Sequence, residues 1–153
     1  MSATATGTIT VRKDAAAGDL VTLEPGITQV RRPFYNASTP TSGTIKFYEK
    51  VFYKNTNGST ALTNGVIKES ADPSAKIAFG LPATIDDTGT NGAGNNRQVA
   101  PSGITFNSTD KNIANSQNLP AGSAQGVWLE LTLASTDPAT KTTYDLRCEG
   151  TTT

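Results

Sequence analysis

Few residues in this chain have types and spacing that could do chemistry, and most have a plainer reading. Asp86-Asp87 lies in a stretch of Gly, Asn and Thr and offers adjacent carboxylate oxygens of the kind calcium takes. The spacing fits no EF-hand or other regular calcium loop, and neighbouring acids are commonplace in polar loops, so no metal or cofactor is expected. Glu130 and Glu149 are a second pair of acids. Glycoside hydrolysis needs two carboxyls at a set separation, but nothing in the sequence sets theirs, and solvated strand faces account for both. Histidine is absent. That excludes Ser-His-Asp and Cys-His catalysis and the usual zinc ligand sets. Cys148 is the single cysteine, so no intrachain disulfide is possible. Its place in an alternating run reads as a small buried hydrophobe in preference to a nucleophile. The glycines form neither a phosphate-binding loop nor a dinucleotide fingerprint. The chain is expected not to be an enzyme.

Binding chemistry has more to work with. Ile45-Lys46-Phe47-Tyr48-Glu49-Lys50-Val51-Phe52-Tyr53-Lys54 interleaves lysines with aromatics, a pattern that can stack bases over a basic groove. Only Arg31-Arg32 adds to that charge, so a central strand with one packed and one solvated face is preferred, its lysine stems lying over aromatics. Glu49 interrupts the apolar face and predicts a bulge, or a change of strand partner, at that point. Trp128 could bind a sugar from an exposed face, yet a core anchor or an interface residue is the preferred reading. Arg31, Arg32, Phe34, Tyr35 and Trp128 are the candidate interface residues. Asn36-Ala37-Ser38, Asn57-Gly58-Ser59 and Asn107-Ser108-Thr109 match the N-glycosylation pattern, but turn chemistry explains them better.

The elements that must hold these residues are strands. Val127, Leu129, Leu131 and Leu133 alternate with Trp128, Glu130 and Thr132, the pattern of a strand with one face in a core. Tyr144, Leu146 and Cys148 alternate in the same way with Asp145, Arg147 and Glu149. Thr136-Asp137-Pro138 between them predicts an antiparallel hairpin with a long loop. Further short strands are expected at Lys76–Leu81 and Ile104–Phe106. Turns are expected at Thr39–Gly43, Asn57-Gly58, Asp72-Pro73 and Leu119–Gly122, with a turn or bulge at Asn64-Gly65. The polar segment Pro82–Gln98 is long for a loop in a compact domain, which marks it as functional or mobile.

The 153 residues suit one domain, and the 35% hydrophobic, 17% charged composition suits many short strands joined by turns. The fold class is therefore all-β, an antiparallel β-sandwich of seven or more strands. Residues 45–153 form its body. Residues 1–44 hold brief β-prone runs at Thr8–Val11, Leu20–Leu23 and Ile27–Arg32, read as edge strands or as an extended arm that orders on a neighbouring subunit, with edge strands preferred. Thirteen basic residues balance thirteen acidic ones, so neither nucleic acid nor an anionic membrane is expected as partner. The N-terminal stretch has no basic head or apolar segment. It predicts no secretory signal, no membrane span, and folding in a cytoplasm.

An ordered series of short motifs adds a resemblance. Tyr53-Lys54-Asn55 followed by Leu62-Thr63-Asn64, then Ala78-Phe79-Gly80-Leu81 and Pro101-Ser102-Gly103-Ile104-Thr105-Phe106, leads to Leu119-Pro120-Ala121-Gly122 with Val127-Trp128. The series closes on Leu146-Arg147-Cys148-Glu149-Gly150-Thr151. Over residues 45–152 this resembles a family of small bacteriophage virion proteins with an immunoglobulin-like sandwich. One departure stands out: Glu130 and Leu131 occupy places where the family often has two arginines, which puts that family contact in doubt here. The resemblance implies a virion protein assembled in the host cytoplasm, homo-oligomeric on the particle and bound to the major capsid protein or other virion proteins. A capsid decoration or cement protein is the favoured placement. A tail, neck or baseplate accessory comes next, and a carbohydrate-binding module touching host glycan is the reading from another class.

Overall fold

A computed structural model describes residues 8–12, 20–22, 34, 37–72, 74–89, 97–138 and 144–152. The chain forms β1 (Thr8–Arg12), β2 (Leu20–Thr22), β3 (Thr44–Lys54), β4 (Leu62–Ala71), β5 (Ile77–Gly80), β6 (Lys111–Asn112), β7 (Ala124–Ala134) and β8 (Asp145–Thr152). They make two sheets, ordered β2-β1-β3-β7-β5 and β6-β4-β8, with every described pairing antiparallel. The protein is all-β, as its composition implies.

The longest ladder joins β3 to β7 without a break, from Thr44 opposite Ala134 to Lys54 opposite Ala124. Period-two alternation then decides which side chains go inward. Phe47, Val51 and Tyr53 of β3, Val127, Leu129 and Leu131 of β7, and Ile77 and Phe79 of β5 meet Leu62 and Ile67 of β4 in one apolar cluster. Leu146 and Cys148 of β8 pack against its margin. Ile67, Phe79 and Val127 are fully buried, each such side chain contributing about 1.5–3 kcal/mol.

Several expectations are corrected. The runs around Val127–Leu133 and Leu146–Cys148 are strands, but not the two arms of a hairpin. Both edges of β7 are occupied, by β3 and β5, so β8 pairs with β4 in the other sheet. Asp137 helps end β7, its Oδ2 accepting the Ala134 N–H at 2.7 Å while its Oδ1 pairs with Lys76 at 2.7 Å. There is no bulge at Glu49, because the β3–β7 register runs straight through it. The partner does change on the other edge, where β1 covers Val51–Lys54 and the Arg97 carbonyl accepts the Tyr48 N–H at 2.7 Å. Ile104–Phe106 is not a strand, and that stretch makes only the bridge between Phe79 and Asn107. Lys111–Asn112, with no periodic signal, is one.

At Asn64-Gly65 the bulge reading holds. The β4–β8 register shifts between Thr63 and Val66, with Asn64 at φ +53°, a conformation asparagine tolerates better than most residues. β1 and β2 extend the larger sheet beyond β3; the run Ile27–Arg32 lies outside the described residues.

Ala114–Gln117 forms a single left-handed turn, with φ of 59°, 54° and 63° at Asn115, Ser116 and Gln117. Each such L-residue costs about 1–2 kcal/mol, so the surroundings must hold the turn in place. Ile113 before it is anchored in the core at 2% exposure. The fully buried Gln125 accepts the Ala114 N–H at 2.9 Å and donates to the Gly126 carbonyl at 2.9 Å.

Gly80 shows how closely the 104–107 segment approaches β5. A Cβ there would collide with the Ile104 side chain and stand 2.7 Å from the Thr105 carbonyl oxygen. Gly80→Ala is expected to lower unfolding free energy by about 1–3 kcal/mol. Gly58→Ala, in open space, should change it by under about 0.5 kcal/mol. Urea unfolding of the two variants measures the contrast.

Candidate functional site

The outer face of the β3–β7–β5 sheet carries the most concentrated polar chemistry among the described residues. Alternation sends Tyr48, Lys50 and Phe52 of β3 and Trp128 and Glu130 of β7 to this face. The register sets Lys50 opposite Trp128, Tyr48 opposite Glu130, and Phe52 opposite Gly126. The absent side chain at Gly126 makes room for the lysine, since a Cβ there would stand 2.7 Å from Lys50 Cε and 3.3 Å from Pro82 Cγ.

The chain leaving β5 folds back over this face. The Asp86 N–H donates to the Ala124 carbonyl at 2.7 Å, and the Ala124 N–H donates to Asp86 Oδ1 at 2.7 Å. That pair of bonds places Asp87 above Lys50. The Lys50 ammonium donates to the Asp87 and Gly89 carbonyls, both at 3.0 Å, and forms an ion pair with the Asp87 carboxylate. Among the described residues the ammonium thus meets three acceptor oxygens. The ammonium also lies 5.1 Å from the Phe52 ring centre and 5.3 Å from that of Trp128, within range of a cation–π attraction. The Lys50 side chain is 4% exposed and that of Asp87 20%.

Burial pushes the Asp87 carboxyl upward. The hydrogen bond from Lys50, the Gly89 N–H and the lysine's charge outweigh it and hold Asp87 below the usual carboxylate range. Tyr48, packed against Phe106 at 5.4 Å between ring centres, is pushed up to about 12 by burial and by its bond to Glu130. Glu130 in turn pairs with Lys46 at 3.0 Å.

On the inner side of the same strand, Glu49 accepts the Phe34 N–H at 2.8 Å and pairs with Arg97. Neighbouring residues of β3 therefore pin the chain on both sides of residues 90–96, Lys50 at Asp87 and Glu49 at Arg97. The arrangement fastens a connection to the sheet. It leaves neither the ammonium nor the carboxylate of the Lys50–Asp87 pair disposed to move a proton.

The structure distributes the residues singled out from sequence as follows. Arg31, Arg32 and Tyr35 lie outside the described residues. Phe34 is 8% exposed in the core cluster, at φ +64°, and Trp128 is 4% exposed on the opposite face of the sheet, so the two are not brought together. Lys50 is buried, contrary to the solvated face expected for it, while Lys46 and Lys54 are exposed. Glu130 and Glu149 belong to different sheets, and Glu149 pairs with Lys68 at 2.9 Å. The Asp86 and Asp87 side chains take different partners, and the described residues include no group of three or more His, Cys, Asp or Glu able to hold a metal ion. Asn57 and Asn107 cap their own turns, accepting the N–H groups of Ser59, Thr60 and Thr109 at 3.0–3.1 Å; Asn36 lies outside the described residues. Burial, then the charge of Glu149, pushes the Cys148 thiol up to about 11. No described helix is long and apolar enough to cross a membrane.

Sequence reasoning missed the Lys50–Asp87 pair. The available signals were a lysine between two aromatics on alternate positions and an acidic loop, 37 residues apart. Comparison with protein-family models, with curated proteins and with solved structures finds no match to this chain.

Asp87→Asn removes the carboxylate paired with a buried ammonium and is expected to cost about 3 kcal/mol. Lys46→Met, at a half-exposed pair, should cost under about 1 kcal/mol. The lowered folded value of Asp87 also sets the sign of an acid effect. Its contribution is complete above the unfolded carboxylate value, about pH 4, and is lost as pH falls through the lower folded value. Urea midpoints between pH 2 and 7 should therefore fall more steeply for the wild type than for Asp87→Asn.

Proposed function

We propose that this chain is a non-enzymatic structural protein of a bacteriophage particle, an immunoglobulin-like β-sandwich present in many copies. Its placement in this reading is a capsid decoration or cement protein, bound to the major capsid protein across shell subunits. The observation that carries the reading is the fastening of the central sheet. The face bearing Lys50 and Trp128 is closed by the chain's own 82–89 segment, and the ion pair beneath it is taken up in holding that segment down. Such a body suits work done by shape. Many copies on a symmetric lattice then make weak single contacts durable.

The motif series behind the resemblance, apart from Pro101–Phe106, also falls on strands and the turns that join them. Tyr53–Gly65 spans the end of β3, its turn and the start of β4. Ala78–Leu81 covers most of β5, and Leu119–Leu129 joins the turn before β7 to its first half. Leu146–Thr151 lies within β8. The carbohydrate-binding reading has less support, because Trp128 at 4% exposure presents no open ring face for a sugar to stack on.

Quantitative mass spectrometry of purified particles, with mapping of the protein's position, tests the proposal. The expected result is a copy number in fixed proportion to the major capsid protein, and heads that lose their DNA at lower temperature when the protein is missing. Placement on the tail moves it to the accessory role. Absence from particles, or turnover of a polysaccharide by the isolated chain, overturns it.

A further inference from the structure

Among the described residues, β8 leaves a long strand edge open. It is terminal in the β6-β4-β8 sheet, with β4 on one side, and among the described residues no backbone group bonds to its other side. The other terminal strands are short: β6 has two residues, β2 three, and β5 four with Phe79 already bridged to Asn107. β8 runs for eight residues and contains no proline. An edge of this kind is a template for another strand.

We propose that the occupant is a second copy of this chain, pairing β8 to β8 antiparallel about a two-fold axis at Cys148. Charge and the length of strand that can pair select that register. Centred on Cys148, Arg147 stands opposite Glu149 of the second copy, and the symmetry repeats the pair. Leu146 then faces Gly150, and Asp145 faces Thr151. Centring on Arg147 would set that arginine against itself and Asp145 against Glu149. Centring on Glu149 would set two carboxylates face to face. Directly opposed like charges disfavour both alternatives, and centring on Leu146, which also sets Asp145 against Arg147, would pair only Asp145–Arg147 of β8.

The two side chains are suited to the contact. Arg147 is exposed and has no hydrogen bond or ion pair among the described residues. Glu149 engages Lys68 through Oε2, and its Oε1 has no partner among the described residues. The contact is isologous and closes on itself, joining two three-stranded sheets into one of six strands. It is a property of the free chain and stands apart from the virion reading.

Sedimentation equilibrium of the full chain, over a series reaching several hundred micromolar, is expected to show a monomer–dimer equilibrium. Arg147→Glu opposes carboxylates at both symmetric positions and should weaken association by about tenfold or more, with thermal melting unchanged at dilutions where both chains are monomeric. Mixed with Glu149→Arg, it recovers opposite charges at both positions and should form a heterodimer. Amide exchange supplies a readout free of substitutions, in which the outward-facing amides of β8 gain protection with concentration while those of β7 do not. A chain monomeric throughout the series, a dimer indifferent to Arg147→Glu, or β8 exchange independent of concentration overturns the proposal.

Discussion

A lysine ammonium held between two layers of protein is the constraint around which the larger sheet is arranged. Taking such a charge out of water costs several kcal/mol unless its hydrogen bonds and counter-charge are replaced. Lys50 has all of these replaced, by the Asp87 carboxylate, two carbonyl oxygens and two aromatic faces. Each replacement imposes something on the chain. Gly126 must lack a side chain, the segment after β5 must turn back, and Asp86 must bond to Ala124 so that Asp87 arrives above the sheet. The β3–β7 ladder consequently has both faces covered along its middle, which an antiparallel sheet commonly avoids.

The second sheet is built differently. Its ion pair, Lys68 with Glu149, is half-exposed on the outer surface, where screening by water leaves it little energetic weight. Its strength comes from inward-facing residues, with Ile67 fully buried and Leu146 and Cys148 at the margin. The apolar cluster joins the two sheets, but polar fastening is concentrated on one of them. A particle-bound role would use this asymmetry, one layer kept rigid by its own chain and the other carrying a strand edge that can accept a partner.

The left-handed turn at Asn115–Gln117 shows the same economy on a smaller scale. Strained backbone persists only where its surroundings over-determine it. Here Ile113 anchors one side in the core, and Gln125, buried and bonded through both its amide oxygen and nitrogen, holds the Ala114 amide from β7. A buried glutamine in a strand that otherwise turns apolar residues inward is explained by that task.

Period-two alternation by itself determined that the chain is all-β and which side chains of β7 and β8 face the core, because side-chain direction in a strand follows from local geometry alone. Turn chemistry was equally legible at Asn57, Asn107, Asp72 and Gly122, where the residue that makes the turn is the residue that shows it. Strand partnership was not, since it depends on which edges are already taken. That is why Val127–Leu133 and Leu146–Cys148 were legible as strands and not as members of opposite sheets. The burial of Lys50 and Trp128 was likewise decided only by tertiary structure. An outward-facing position becomes interior when a distant segment closes over it, and no local pattern carries the position of a loop 37 residues away.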